Sequence, residues 1–144
     1  MAHRNKDEIA QLLRNHGIQP TSQRVEIAHV LFETEEDALD HHLSADEVLE
    51  RVNADYHRCS KATVYNTLRL YEEKGLIRDV VVSANKVFFD PNTEPHHHLY
   101  NEADGTLQDI PAEDVNVQAL MPTLPADVSG SDLDIVIRVR GRGG

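Results

Sequence analysis

Cysteine is nearly absent: Cys59 is the only one in 144 residues. A lone thiol excludes a disulfide within the chain and a cysteine-built zinc site within one chain, and it makes a reducing, cytoplasmic setting the expectation. Positive charge is scarce as well. Lys and Arg number 14 against 25 Asp and Glu, a formal net charge of −11. That balance argues against loose binding to nucleic acid or an anionic membrane, and any DNA contact must come from a local basic face. No run of about 18 apolar residues and no cleavable N-terminal signal is present, so no membrane partner is expected. No serine or cysteine nucleophile motif occurs, and Cys59 reads as a passive thiol. A chain of this length forms one large domain or two small ones with a real core.

Histidine, by contrast, is plentiful at nine residues, and its side chain titrates near neutrality and ligates metals. Three are consecutive, His96-His97-His98, with Asp90 six positions before the run and Asp109 eleven after it. Imidazole with ionised carboxylate suits Fe, Mn, Co or Zn. On an extended segment His96 and His98 project to one face and His97 to the other. The spacing therefore nominates His96 and His98 and leaves His97 in doubt. If Phe88-Phe89-Asp90 ends a strand, Asp90 converges with them. A solvated histidine-rich loop or a tag remnant is the plainer alternative, but a tag sits at a terminus and explains neither carboxylate.

The first half reads as helices. Ile9, Leu12 and Leu13 recur at helical spacing, closed by Gly17 after His16. Thr21 or Ser22 starts a second helix with Val25, Ile27, Ala28, Val30, Leu31 and Phe32 apolar, and an acidic loop, Glu33 to Asp40, follows. Ser44 with Glu47 forms a capping box for a third helix through Val48, Leu49 and Val52. Ser60 caps a fourth, whose apolar set is Ala62, Val64, Tyr65, Leu68, Leu70 and Tyr71, and Lys74-Gly75 ends it. Then the pattern changes. Leu76 to Val82 and Lys86 to Asp90 flank Ser83-Ala84-Asn85 as a hairpin, and His97 to Asn101 and Thr106 to Ile110 flank Ala103-Asp104-Gly105 as a second. Val115 to Leu120 is expected as a short helix before the break at Pro122 to Pro125. Leu133, Ile135, Ile137 and Val139 alternate with polar residues, so Asp132 to Arg140 is expected as a strand with one buried face, ahead of a frayed tail.

Three helices, a strongly capped fourth and a β-hairpin are the order of a winged helix-turn-helix. The expected fold is therefore α+β: an N-terminal winged helix-turn-helix domain at 1–90 and a small C-terminal α/β dimerisation domain at 91–144. The second module is too small to stand alone with confidence, and its strand edges are expected to pair across a dimer.

Ser60 to Tyr71 is the candidate recognition helix. A helix in the major groove needs polar or small residues near its N-terminus for base edges and apolar ones behind. Lys61, Thr63, Tyr65, Asn66 and Arg69 supply such contacts, Thr63 and Tyr65 suiting a thymine methyl and Asn66 an adenine. Arg24, Arg58 and Lys61 suit phosphate, and Ser60 heads a helix whose amides favour it too. These residues alone fit an ordinary amphipathic helix with a solvated face equally well, and the wing carries only modest charge, Arg78 and Lys86.

Four marks together resemble the ferric uptake regulator family, from about Ile9 to Arg138: Gly17-Ile-Gln-Pro-Thr-Ser-Gln-Arg24, His42-Leu-Ser-Ala-Asp-Glu47, Ala62-Thr-Val-Tyr-Asn-Thr-Leu68, and Phe89-Asp90 followed by His96-x-His98. The resemblance implies a dimeric, metal-responsive transcriptional regulator, usually a repressor, that binds a palindromic double-stranded operator when loaded. It implies Fe2+ or Mn2+ as the metal, with Zn2+ accepted in vitro, held by His42, Asp90, His96, His98 and Asp109. His42 belongs to the DNA-binding half; by itself it reads as a surface loop histidine. A metal shared by both halves would fix their relative angle, and so the spacing of two recognition helices.

The chain departs from the family pattern in three ways. Asn101 and Asp104 stand where the first cysteine pair of a structural zinc site would fall. Pro95 and Ser131 replace two ligands of a second site to which His97 would belong. The second domain is short, ending near Ile135-Val-Ile-Arg138. These features look most like the iron response regulator branch, which lacks structural zinc and is linked to haem and iron-dependent control. The cysteine-containing haem motif of some members is missing from Met1-Ala-His-Arg-Asn5, which leaves haem open only as a histidine-bound ligand. Asp109, an aspartate rather than a glutamate, accompanies peroxide sensing by iron-catalysed oxidation of a ligand histidine, the runner-up for the signal; the aspartate also occurs in the iron response branch. A metalloenzyme is a competing class, but its site needs a larger scaffold around an open coordination position, so no enzyme is expected. A metal-storing or protein-binding module is another, and it would lack metal-dependent DNA affinity.

Overall fold

Residues 5–33, 42–129 and 133–140 are described in this computed structural model. The acidic loop beyond Glu33, residues 1–4, Ser131, Asp132 and the tail after Arg140 lie outside the described residues. The chain divides into two compact units, Met1–Thr93 and Glu94–Gly144.

The first unit runs α1 (Lys6–Asn15), α2 (Ser22–Glu33), β1 (Leu43–Ser44), α3 (Ala45–Val52), α4 (Lys61–Glu73), β2 (Arg78–Ser83) and β3 (Lys86–Asp90). Local chemistry sets each helix start. Asn5 and Glu8 form a capping box on α1, and Ser44 and Glu47 form another on α3, each satisfying amides that have no intrahelical partner. Thr21, rather than Ser22, caps α2, its Oγ1 accepting the Arg24 N–H at 3.3 Å. Ser60 Oγ accepts the Thr63 N–H at 3.1 Å at the head of α4. Gly75, at φ 75°, turns the chain out of α4 in a conformation that other residues adopt at a cost.

Behind these caps lies one core, including Ile9, Leu13, Ile27, Leu31, Val48, Val52, Cys59, Val64, Leu68 and Tyr71. The Tyr71 hydroxyl donates to the Arg24 carbonyl, which ties α4 to α2, and burial pushes its pKa well above the ordinary tyrosine range. Burial likewise pushes the Cys59 thiol up, which together with full enclosure keeps it unreactive. The apolar set expected for α4 divides: Val64, Leu68 and Tyr71 are buried along with Thr67, whereas Ala62 and Tyr65 are exposed. A helix covered on one side shows its other side to water whatever its residue types.

Strand β1 is too short to leave a periodic trace. It pairs antiparallel with β3, Leu43 opposite Phe89, and gives the sheet order β1-β3-β2. The β2–β3 hairpin is the wing of a winged helix-turn-helix.

The second unit is a three-stranded sheet of order β5-β4-β6, from β4 (His96–Asn101), β5 (Thr106–Pro111) and β6 (Val136–Val139). Strands β4 and β5 pair antiparallel, and β6 lies parallel to β4. Two expectations are corrected here. Residues 115–120 form a bend and a turn between two 3-10 turns, Ala112–Asp114 and Met121–Thr123. β-branched Val115 and Val117 disfavour a short helix, and Asn116 Oδ1 instead accepts the Gln118 N–H at 3.0 Å. Strand β6 is also shorter than Asp132 to Arg140, and its apolar residues Ile137 and Val139 are 43% and 45% exposed. It is an edge strand of one chain, so alternation marks a face that the chain itself leaves open.

Truncating Leu68→Ala should cost about 2–5 kcal/mol, the range for a buried leucine, read by urea unfolding. On the opposite face of α4, Arg69→Ala should stay within about 0.5 kcal/mol of the parent.

Candidate metal-binding and DNA-reading sites

The short β1–β3 pairing extends by one residue to bring His42 beside Asp90. Asp90 is wholly enclosed, and an ionised carboxylate so placed needs partners. Its Oδ1 accepts the Asn92 N–H at 2.9 Å, closing the turn after β3. Its Oδ2 lies 3.5 Å from His42 Nε2. His42 is itself buried, not the surface loop residue that it resembles in isolation.

In the sheet unit the register does the same work. His98 stands directly opposite Asp109 across β4 and β5, and His96, two residues away, shares that face. The His96 and His98 rings sit edge to face with centroids 4.5 Å apart. His96 Nδ1 donates to the Glu94 carbonyl at 2.6 Å and His98 Nδ1 to Asp134 Oδ1 at 2.8 Å. In a neutral ring the other nitrogen is then an acceptor, and both Nε2 atoms point at Asp109 Oδ1, at 3.0 and 3.5 Å. Lone pairs aimed at a carboxylate oxygen repel unless positive charge stands between them, whether a proton or a cation. This donor set, two imidazoles and a carboxylate with fixed outer partners, fits a divalent first-row metal.

His97 is separate. It lies on the opposite face, buried, and its Nδ1 accepts the Ile135 N–H at 3.0 Å, so its proton sits on Nε2, the reverse of its neighbours. Asn101 and Asp104 build the hairpin turn: Asn101 Oδ1 accepts the Ala103 N–H, and Asp104 Oδ1 accepts the Thr106 N–H and hydroxyl. Asp134 and the Glu94 carbonyl were not anticipated. Neither carries a mark, since Asp134 is one of 25 acidic residues and a carbonyl is common to all.

On α4 the exposed side carries Lys61, Tyr65, Asn66 and Arg69, with Thr63 half-buried and Ser60 exposed at the head. Tyr65 is 39% exposed; its hydroxyl donates to Asp46 Oδ1 at 2.8 Å, which pushes its pKa up, and Lys61 Nζ lies 5.5 Å from its ring centre. A cleft of about 440 Å³ between the start of α3, Tyr65 and the wing is lined by Asp46, Lys86 and Phe89 among others. Arg24 donates to the Gln19 carbonyl at 2.9 Å. Arg58 is held internally, by the Val52 carbonyl at 3.3 Å, by Glu26 and Asp55 at 3.9 Å, and over the Tyr56 ring. Its guanidinium brackets the loop before α4.

A winged helix with a polar exposed α4 face, together with buried imidazole–carboxylate sets, defines the class of metal-responsive DNA-binding regulators. The ferric uptake regulator family profile matches residues 15–123, and the chain belongs to that family, whose members are transcription regulators rather than enzymes. The peroxide-responsive repressor PerR of Staphylococcus aureus is 31% identical over 114 residues, covering 79% of this chain and 73% of that protein. Among solved structures, the Vibrio cholerae ferric uptake regulator superposes with a TM-score of 0.72 at 18% identity, over 92% of this chain and 98% of that one, a likeness of fold alone. The Campylobacter jejuni peroxide stress regulator superposes with a TM-score of 0.63 at 25% identity, over 92% and 96% of the two chains. No helix among the described residues is long and apolar enough to cross a membrane.

Replacing Asp90→Ala removes the acceptor of the Asn92 N–H and the carboxylate beside His42. The metal-free protein should lose about 1–3 kcal/mol in chemical denaturation, and an unchanged midpoint would count against a structural demand for that carboxylate.

Proposed function

We propose that this chain is an iron-responsive regulator of iron and haem homeostasis genes, of the iron response regulator kind, acting as a homodimer on a palindromic double-stranded operator. In this reading 1–90 is the DNA-binding domain and 91–144 the dimerisation and metal-sensing domain. The observation that carries it is the repeated placement of buried imidazole against carboxylate, His42 with Asp90 and His96 and His98 with Asp109. Fe2+ or Mn2+, and Zn2+ in vitro, would be held by His42, Asp90, His96, His98 and Asp109. When bound, the ion supplies positive charge between groups that otherwise repel, and it offsets about −2 from Asp90 and Asp109.

The two donor sets belong to different parts of the chain, so a shared ion makes their mutual arrangement depend on metal supply, and with it the spacing of the two α4 helices in a dimer. Lys61, Thr63, Tyr65, Asn66 and Arg69 meet base edges, while Arg24, Ser60 and the α4 amides meet phosphate. Tyr65, its hydroxyl held by Asp46, is 39% exposed, which leaves its ring open to contact with a thymine methyl. With a net charge of −11, non-specific affinity is low and specific binding falls steeply with salt.

A second reading is favoured by one observation: the curated relative with 31% identity is a peroxide-responsive repressor. In that reading iron-catalysed oxidation of a ligand histidine releases the operator. Haem as a histidine-bound ligand is a third input to the same regulator.

Gel shifts on the protein's own upstream DNA should show binding that needs Mn2+ or Fe2+, and His42→Ala and His98→Ala should each abolish the metal dependence. Operator binding that is equal with and without metal would sink the switch. Exposure of the Fe2+-loaded protein to hydrogen peroxide separates the two signals. Oxygen added to a peptide holding His42, His96 or His98, with loss of DNA binding, selects peroxide sensing; unmodified histidines with binding intact select iron.

A further inference from the structure

Asp134 and Ile135, just before β6, reach two consecutive histidines of β4. Asp134 Oδ1 accepts from His98 Nδ1 at 2.8 Å. The Ile135 N–H donates to His97 Nδ1 at 3.0 Å, and the Ile135 carbonyl accepts the His98 backbone N–H at 2.9 Å. The parallel register sets Val136 beside His98, which keeps this segment in place along β4.

We propose that Asp134 is the positioning residue of the sheet unit's metal site: its carboxylate holds the His98 proton on Nδ1 and thereby aims the Nε2 lone pair at the position facing Asp109. The proposal rests on the reading of His98 as a metal ligand. A carboxylate behind a ligating imidazole fixes ring rotation and tautomer and raises the basicity of the far nitrogen. The neighbouring ring shows why a dedicated partner is needed. His97, one residue away on the same strand, carries the opposite tautomer because its Nδ1 meets a donor rather than an acceptor. The partners offered by one short segment thus sort two adjacent histidines, one to a structural bond and one to the metal face. A consequence is linkage: whatever docks β6 on β4 favours the His98 tautomer that binds metal, and metal binding at His98 favours the docked strand in return.

Long-range proton–nitrogen NMR of the imidazoles in the metal-free protein is the first test. Wild type should show His98 protonated at Nδ1 and His97 at Nε2; a His98 ring with no proton on Nδ1 overturns the proposal without any variant. In Asp134→Ala the His98 proton should redistribute, and in Asp134→Asn, which keeps an acceptor oxygen, it should stay on Nδ1. Calorimetric titration with Mn2+ should then give about 10–100-fold weaker binding for Asp134→Ala, with part of the loss recovered in Asp134→Asn. Wild-type Mn2+ affinity in Asp134→Ala overturns the positioning role. His98→Ala serves as the reference: if it binds Mn2+ as wild type does, the ligand reading of His98 is at fault, and the NMR result still judges Asp134.

Discussion

An imidazole set against a carboxylate across a pair of antiparallel strands is the contact on which this molecule is organised, and it occurs twice. In the helical unit β1 and β3 bring His42 to Asp90, and in the sheet unit β4 and β5 bring His98 to Asp109. Both depend on register. A slip of one residue in either ladder would send the imidazole to the opposite face and its carboxylate partner out of reach. The two-residue β1 stabilises little as a ladder, yet its pairing with β3 sets His42, one residue before it, against Asp90.

Within each unit the buried groups also constrain one another electrostatically, Asp90 with His42 in the first and Asp109 with His96 and His98 in the second. Asp90 is fully enclosed and Asp109 mostly so, while His42, His96 and His98 are all buried. Each of these pairings is costly without positive charge among its members. A regulator can exploit that cost, because the energy recovered when an ion arrives is available to bias conformation. In the helical unit the same economy governs α4, where Val64, Leu68 and Tyr71 anchor one side in the core so that the other can be polar and exposed. Arg58 shows the limit of reading charge as DNA affinity, since its guanidinium is engaged with Val52, Glu26 and Asp55.

Side-chain hydrogen bonds shape the sheet unit locally. Asn101 and Asp104 turn the β4–β5 hairpin through their side-chain oxygens. The sheet is then extended by β6, whose approach ties the C-terminal segment to the histidine run. Its edge residues Ile137 and Val139 are left exposed on a single chain.

The four α-helices, the Ser44 and Ser60 caps and the β4–β5 hairpin were legible in the sequence, because capping residues, terminal glycines and apolar periods are written by neighbours within a few residues. That His96 and His98 share one strand face and His97 takes the other was legible for the same reason: alternation along a strand is local. The partner of each imidazole was not. That Asp134 rather than another acid meets His98, that Ile135 claims His97, that Asp46 holds Tyr65 and that the apolar side of β6 is left open are all decided by which segments lie side by side. Such pairings span 19 to 38 residues, and no local pattern encodes them; only the closing of the sheets and the packing of the helices selects the partner.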